Sequence, residues 1–229
     1  MKVTLISTTQ PVPALQEQGI RTAEDLIVYC ARVSNPDNQF NVSTGPKLLR
    51  YCIEHGHWSV FEQASMTVEI QTSRAISAQI LRHRSFSFQE FSQRYAVVDE
   101  EAGLGLWESV ELREKAKGGN RQGSGKDLFE QPYRDSILGT VAMDSIAAAF
   151  LAYKMLVSQG VAPECARMVL PLCTRTTLYM TGSVRSWIHY LKQRLDSHAQ
   201  KEHRDVAEAV LAVFKQQFPV CAEAAGFEG

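Results

Sequence analysis

Hydrophobic residues in the first third of the chain recur with short periods that predict strands and helices. Residues 2–6 are rich in β-branched side chains, and residues 64–72 alternate apolar with polar positions, which is typical of a half-buried strand. Between them, one predicted helix opens at Thr22, a favourable N-cap before acidic residues. A second carries Pro46 near its start and ends at Gly56. The pattern therefore predicts a strand, two helices and a second strand.

The rest of the chain is predicted to be mainly helical. Residues 75–81 predict a helix that leads into three basic residues, 82–84. The later predicted elements are a long apolar helix over 136–158, a shorter helix from Pro163, a strand over 176–181, and helices over 184–195 and 199–214. Strands and helices do not alternate as in βαβ units, so we predict an α+β fold with a small, mostly antiparallel sheet in a single domain, 1–229. A Gly- and Lys-rich stretch predicts a mobile surface loop around 115–127.

Charge and composition restrict the classes of function. The chain has 229 residues, of which 45% are hydrophobic, and its 24 basic and 25 acidic residues give a net charge of -1. Proteins that bind nucleic acid polymers usually carry a basic excess along one face, so we expect no nucleic acid partner. Any recognition of phosphate must be local.

Cysteines and apolar runs indicate the compartment. The five cysteines are scattered and form no C-x-x-C pair, which argues against a disulfide framework or a cysteine zinc site and favours a reducing cytoplasm. The apolar run near the N-terminus is too short for a signal peptide. The most apolar later stretch, IAAAFLAYKMLV, has a lysine inside it and is well under the roughly 20 residues that span a bilayer. We therefore expect a soluble, cytoplasmic protein without a membrane partner.

One stretch, LRHRSFSFQEFSQRY at residues 81–95, concentrates three arginines and a histidine among aromatics and hydroxyls. On a continued helix, Arg82 and Arg84 would diverge by roughly 200 degrees and face different partners. Arginine matches phosphate oxygens in bidentate fashion, and hydroxyls suit the polar edge of a base, so a nucleotide fits this set of side chains. The alternative is a solvated helix end whose arginines pair with Glu90 and nearby acids. The phenylalanines of the stretch are assigned to the core.

Histidines outside this stretch are weaker evidence for a binding site. His55, His57 and Ser59 follow a predicted helix, and two histidines two residues apart can chelate a metal. No third ligand has matching spacing, and His198 and His203 lie off a common helical face, so we predict no metal site. The loop is expected to contribute hydrogen bonds to a ligand instead.

The C-terminal half supplies a further set of cations: Arg167, Arg175, Arg185, His189, Arg194 and His198. Arg194 shares a helical face with Trp187 and Leu191, which is apolar. It either extends to the edge of that face or is held partly buried against an anion. Cys173, near arginines, offers a nucleophilic thiolate as an alternative chemistry, although a structural cysteine is the commoner case.

Arg82, His83 and Arg84, followed after seven residues by Ser92, resemble the R-H-R-x7-S signature of flavin-dependent thymidylate synthases. Further blocks occur in the family order: HGHWSVFE (55–62), Gln79 before the signature, SQRY (92–95), ARMVLPL (166–172) and RLDSHAQ (194–200). At two positions the chain departs from the family pattern: Ser183 replaces an Asn, and His189 occupies a position that can also be Asn. Both replacements keep hydrogen-bonding capacity.

The resemblance implies synthesis of dTMP from dUMP, with the carbon from methylenetetrahydrofolate and reducing equivalents passing from NADPH through FAD. It also implies a homotetramer whose sites lie between subunits. The residues implied to contact FAD are Ser59, Arg82, His83, Arg84, Glu90, Ser183, Val184, Arg185 and His189. Those implied to surround dUMP, some from a neighbouring chain, are Gln79, Ile80, Leu81, Arg82, Glu90, Phe91, Ser92, Gln93, Arg94, Arg167 and Arg194.

Arg194 is the expected catalytic residue. Methylation at C5 of a uracil requires negative charge on the ring, and one well-placed donor is typically worth about 2.7 to 4 kcal/mol. In this family hydride comes from the reduced flavin, so no enzyme nucleophile is needed. A non-catalytic nucleotide-binding module and a thiol-dependent pyrimidine methyltransferase using Cys173 remain the alternatives.

Overall fold

Four antiparallel strands form the central sheet of the protein, in the spatial order β1-β2-β6-β3. The computed structural model describes residues 1–99, 106–117, 123–128 and 137–227. The strands are β1 (Lys2–Thr8), β2 (Ser65–Ser73), β3 (Ser87–Glu90), β4 (Arg113–Lys115), β5 (Ser124–Asp127) and β6 (Arg175–Ser183). The α-helices are α1 (Pro13–Gln16), α2 (Ala23–Ala31), α3 (Gly45–Glu54), α4 (Arg74–Ile80), α5 (Ile137–Ser158), α6 (Pro163–Ala166), α7 (Val184–Arg194), α8 (Lys201–Gln217) and α9 (Pro219–Ala224). The predicted α+β class and the antiparallel sheet are confirmed.

One face of the sheet carries the main hydrophobic core. Met66, Val68 and Ile70 alternate along β2 and are at most 1% exposed, which confirms the half-buried strand. They belong to the same buried cluster as side chains of α4, α7 and α8. The other face is more polar, and there the Tyr179 hydroxyl donates to Glu69. Helices α4, α7 and α8 are thus fixed to one side of the sheet.

Both central strands pass directly into a helix. Ser73 ends β2 and accepts a hydrogen bond from the backbone N–H of Ile76, while Ser183 ends β6 and accepts one from that of Ser186. A serine at the N-cap satisfies a donor that the first turn leaves unpaired. Because β2 and β6 are antiparallel, α4 and α7 start at opposite ends of the sheet.

A glycine on β6 makes room for an aromatic side chain. A Cβ atom at Gly182 would lie 2.4 Å from the Phe86 ring, which is too close for two carbon atoms that are not bonded to each other. Phe86 packs there against Trp187, with the ring centroids 4.7 Å apart, and is 9% exposed. Phe86 is therefore a core residue, as predicted, and it anchors the chain that follows α4.

A smaller hydrophobic cluster forms around α5. Ile146, Phe150 and Tyr153 pack there, and the Tyr153 hydroxyl accepts a hydrogen bond from the Val98 N–H. At 22 residues, with a mean hydropathy of 1.4, α5 reaches the length and composition of a membrane span, and only 11% of the apolar window is buried. The helix is longer than the twelve-residue stretch that argued against a span from sequence.

The sequence predicts these two helix ends correctly. Thr22 forms a capping box with Asp25 at the start of α2, and Gly56, with φ of 70°, follows α3. The loop predicted around 115–127 is partly wrong, because residues 124–127 form β5, which pairs with β4. Residues 118–122 of that loop, and Ser136 of the predicted long helix, lie outside the described residues.

Candidate active site

The three basic residues after α4 lie in turns and not on the helix. The helix ends at Ile80 with Leu81 as its C-cap. The inferred divergence of Arg82 and Arg84 by 200 degrees was therefore wrong, because helical geometry does not apply beyond Leu81. Their side chains are exposed, whereas His83 between them is half-buried.

A polar cleft of about 650 Å³ opens beside this turn, and we call it the basic cleft. It is lined by Gln79, Arg82, His83, Gln193, Arg194, His198, Ala199 and Gln200. Two guanidinium groups and several amides in one opening favour an anionic, hydrogen-bonding ligand. Gln79, Arg82 and Arg194, three of the residues implied to surround the substrate, therefore line one opening.

Arg194 is held partly buried at the end of α7. Its Nε donates to Nε2 of His83 over 2.9 Å, so this His83 nitrogen acts as the acceptor of an uncharged ring. Burial lowers the pKa of His83 to about 4, and the charges of Arg194 and His189 add to the effect. Burial also lowers the pKa of Arg194. An uncharged His83 can thus orient the guanidinium without competing for an anion.

A second cleft, of about 390 Å³, lies along the exposed side of α7, and we call it the α7 cleft. It is lined by Trp58, Glu62, Ser85, Arg185, Ser186, Ile188, His189 and Lys192. Arg185, His189 and Lys192 recur at four- and three-residue spacing and so share one helical face. Arg194 points to the opposite, buried face. One helix therefore serves both clefts, and the start of α7 adds the positive end of its dipole to the α7 cleft.

Glu90, at the end of β3, is fixed by three donors. Its Oε1 accepts hydrogen bonds from the hydroxyls of Ser77 and Thr176 and forms an ion pair with Arg74 at 2.7 Å. The carboxylate side chain is 14% exposed. The alternative in which the arginines of the R-H-R signature pair with Glu90 is therefore wrong, since Arg74 on α4 provides the charge.

Further residues implied for dUMP lie beyond the basic cleft. Arg94 forms an ion pair with the Glu164 carboxylate at 3.6 Å, and Arg167 donates to the Glu164 backbone carbonyl at 3.4 Å. Ser92 is half-buried, and Gln93 is buried with its Nε2 unpaired among the described residues. These residues form a second group, separate in its contacts from Arg194.

Other predicted ligand residues have structural contacts in this chain. Val184 is fully buried and its N–H donates to Ala64, and Ile80 is also fully buried. Leu81 is 39% exposed, whereas Phe91 packs against the α5 cluster. Ser59 lines a neighbouring opening of about 660 Å³ and not the α7 cleft. Ser183 caps α7.

The structure gives little support for a metal site or for a nucleophilic thiol. Among the described residues, no group of three His, Cys, Asp or Glu side chains is placed to hold a metal ion. Burial raises the pKa of the Cys173 thiol, which disfavours the nucleophilic thiolate at neutral pH. This weakens the alternative hypothesis of a thiol-dependent pyrimidine methyltransferase that uses Cys173.

Several residues that line the α7 cleft are not among the predicted site residues. Trp58 and Glu62 reach the α7 cleft because the 3₁₀-helix Trp58–Glu62 packs on α7, whereas Lys192 lies on α7 itself. The sequence does not predict the role of Arg74 on α4, because its partner Glu90 lies sixteen positions away on β3. The spacing of Arg185 and His189 could have pointed to Lys192, one further turn along the same face.

Comparisons with known proteins agree on one family. The family described as thymidylate synthase complementing protein matches residues 17–220. The chain is 46% identical to a probable flavin-dependent thymidylate synthase of Paramecium bursaria Chlorella virus 1, over 98% of both chains. It is also 46% identical to the flavin-dependent thymidylate synthase of Synechocystis sp., over 98% of this chain and 99% of the relative.

A solved structure extends the comparison to the fold. The UMP/dUMP methylase PolB of Streptomyces cacaoi, bound with 5-Br dUMP, superposes with a TM-score of 0.79 at 28% identity, covering 100% of this chain and 95% of that one. The matched length includes the strands and helices that build both clefts. The chain therefore belongs to the thymidylate synthase complementing family, that is, to the flavin-dependent thymidylate synthases.

Proposed function

We propose that this protein converts dUMP to dTMP, with methylenetetrahydrofolate as carbon donor and NADPH as reductant, and that FAD binds in the α7 cleft. The observation that carries the assignment is the placement of two cation-lined clefts on opposite sides of α7. When bound and reduced by NADPH, FAD would supply the hydride that the pyrimidine ring receives. The yellow holoenzyme should form dTMP from these substrates, and NADPH should bleach its visible absorption under anaerobic conditions. Absence of both flavin binding and dTMP formation would contradict the proposal.

The α7 cleft fits the charge of a flavin dinucleotide. Arg185 and Lys192 supply cations, and the start of α7 suits a pyrophosphate. Trp58 adds an aromatic wall, while His189 and Ser186 offer hydrogen bonds. The predicted flavin residues Arg185 and His189 lie there, which supports this placement.

The Arg185 contact is tested by its removal. Arg185→Ala should raise the Kd for FAD by about 10- to 150-fold, the equivalent of one charge-assisted hydrogen bond. Arg50→Ala is the matched control, because Arg50 forms a similar exposed ion pair with Glu223. Fluorescence titration of FAD into apoprotein measures both. Equal affinities of the two variants would place FAD elsewhere.

The basic cleft is proposed to bind dUMP. Arg82 and Arg194 offer guanidinium groups to an anion, and Gln79 offers an amide to it or to the base. We place Arg194 at the edge of the pyrimidine, where its positive charge stabilises the anionic ring. Polar side chains of this kind would equally serve a non-catalytic nucleotide-binding module, which would bind dUMP without forming dTMP.

The protein is proposed to act as a cytoplasmic homotetramer with shared sites. Arg94 and Arg167 meet at Glu164, outside the basic cleft, so a neighbouring subunit can bring them to dUMP. The exposed stripe of α5 supports such assembly, because Ile137, Val141, Leu151 and Met155 lie opposite its buried side and are 58 to 84% exposed. Exposed apolar patches of this length mark interaction surfaces.

Assembly through α5 has a direct test. Leu151→Glu should reduce the molar mass found by light scattering and abolish most dTMP formation, because an unpaired charge in an interface costs about 3 kcal/mol or more. Val12→Glu is the matched control, since Val12 is 60% exposed and Leu151 is 61% exposed. An unchanged molar mass for Leu151→Glu would exclude this face as a subunit interface.

A further inference from the structure

His203 lies fully buried beneath the basic cleft, in the first turn of α8. Its ring packs against Tyr190 and stands edge-on to His83, with centroids 5.8 and 6.2 Å away. Burial lowers the pKa of His203 to about 3, with added effects of the Arg194 and His83 charges. At neutral pH the ring is therefore uncharged and has one donor nitrogen and one acceptor nitrogen.

A chain of hydrogen bonds runs from a carboxylate to this histidine. Glu202 forms an ion pair with Arg113 at 2.6 Å, so it is ionised and can only accept hydrogen bonds. Gln200 must then direct its Nε2 to Glu202, at 2.9 Å, and its Oε1 to Gln79. The Gln79 Nε2 donates to that oxygen at 2.6 Å.

The direction of this chain fixes the histidine tautomer. Since Gln79 uses Nε2 toward Gln200, its Oε1 faces Nδ1 of His203, at 3.2 Å. The proton must therefore sit on Nδ1, which donates to Gln79. The Nε2 of His203 is buried and has no partner among the described residues. An unpaired acceptor is more readily tolerated in a protein interior than an unpaired donor, which agrees with this tautomer.

We propose that His203 is a positioning residue that orients the Gln79 amide in the basic cleft. With Oε1 held by His203 and one N–H held by Gln200, Gln79 has one N–H left for a ligand. Gln79 then acts as a donor, toward a phosphate or carbonyl oxygen of the nucleotide. Without His203, the Gln79 amide is held by Gln200 alone, so its remaining N–H is less firmly fixed toward the oxygen of the ligand. This inference rests on the proposed placement of dUMP in the cleft.

The test compares two substitutions at position 203 in the FAD-bound enzyme. His203→Leu keeps the bulk and removes the donor, while His203→Asn retains a donor near the place of Nδ1. For His203→Leu we expect a 3- to 10-fold rise in the KM and Kd for dUMP with kcat within twofold, corresponding to one neutral hydrogen bond. His203→Asn should recover most of the affinity. His203→Met, also without a donor, replaces His203→Leu if that variant does not fold.

The same substitutions in a Gln79→Leu background separate positioning from general packing. If His203 acts through Gln79, the loss of dUMP affinity on His203→Leu should disappear in that background. An equal loss in both backgrounds, or a lowered Tm with unchanged dUMP affinity, would overturn the inference. If Gln79→Leu alone leaves dUMP affinity unchanged, the placement of dUMP in the basic cleft is wrong, and the role of His203 fails with it. A loss on Gln79→Leu without one on His203→Leu refutes the role of His203 alone.

Discussion

Replacing Arg194 with alanine is expected to lower kcat for dTMP formation by about 100- to 1000-fold while FAD remains bound. The guanidinium is partly buried and is oriented by its hydrogen bond to His83. A charge fixed before the reaction stabilises the anionic pyrimidine without the cost of reorganising water. The α7 cleft lies on the other face of the helix, so flavin absorption should be retained. Stopped-flow turnover and the visible spectrum of the same preparation measure both quantities.

Two further variants define the role of Arg194. Arg194→Lys keeps a positive charge but loses the Nε–H that donates to His83, so it should recover only part of the rate. Arg204→Ala is the control, because Arg204 donates only to backbone carbonyls of the preceding turn in the contacts described. Full dTMP production by Arg194→Ala would eliminate its proposed catalytic role. Loss of bound FAD would mean that the two clefts are not independent.

Replacing Glu90 with alanine is expected to reduce both stability and activity. Arg74 would lose its counter-ion, and the hydroxyls of Ser77 and Thr176 would lose their acceptor. Removing one partner of a buried ion pair costs about 3 to 5 kcal/mol, and Arg74 is 31% exposed, so we expect a loss of about 2 to 3 kcal/mol in the free energy of unfolding. Denaturant titration measures it. At least a tenfold loss of dTMP formation is expected at temperatures where the variant is folded.

Comparison with another carboxylate isolates the effect of this network. Glu69→Ala is the matched control, because Glu69 lies on the open face of the sheet and accepts a hydrogen bond from Tyr179. Glu90→Gln keeps an oxygen for the two hydroxyls but loses the charge, so its stability should fall between the parent and Glu90→Ala. A change in stability no larger than that of Glu69→Ala would show that the Arg74 pair contributes little.

Much of the fold was accessible from sequence because its signals are local. The alternation in β2, the Thr22 cap and the position of Gly56 each depend on residues within one element. The motif blocks likewise point to Arg82, His83 and Arg194, and all three line the basic cleft. The sequence pattern does not predict strand β3, because this strand has four residues, is half-exposed and pairs with β6 at the edge of the sheet.

Local sequence signals do not predict the contacts that orient the side chains of the clefts. Arg74 and Glu90, and likewise Gln79 and His203, are brought together by packing between separate elements. Long-range pairs depend on the register of the sheet and the tilt of helices, and neither produces a periodic pattern in the sequence. The R-H-R segment lies outside α4, and helix propensity does not predict that α4 ends at Ile80.

The glycine on β6 limits how the sequence of this protein can vary. Gly182 directly precedes the cap of α7, and the Phe86 ring that fills its missing side chain lies two residues after Arg84. Any larger residue at position 182 would displace Phe86, and with it both the turn beside the basic cleft and the start of the helix beside the α7 cleft. Both clefts thus depend on this one position, so in a library of variants position 182 should accept glycine alone, whereas its half-exposed neighbour Thr181 should accept substitution.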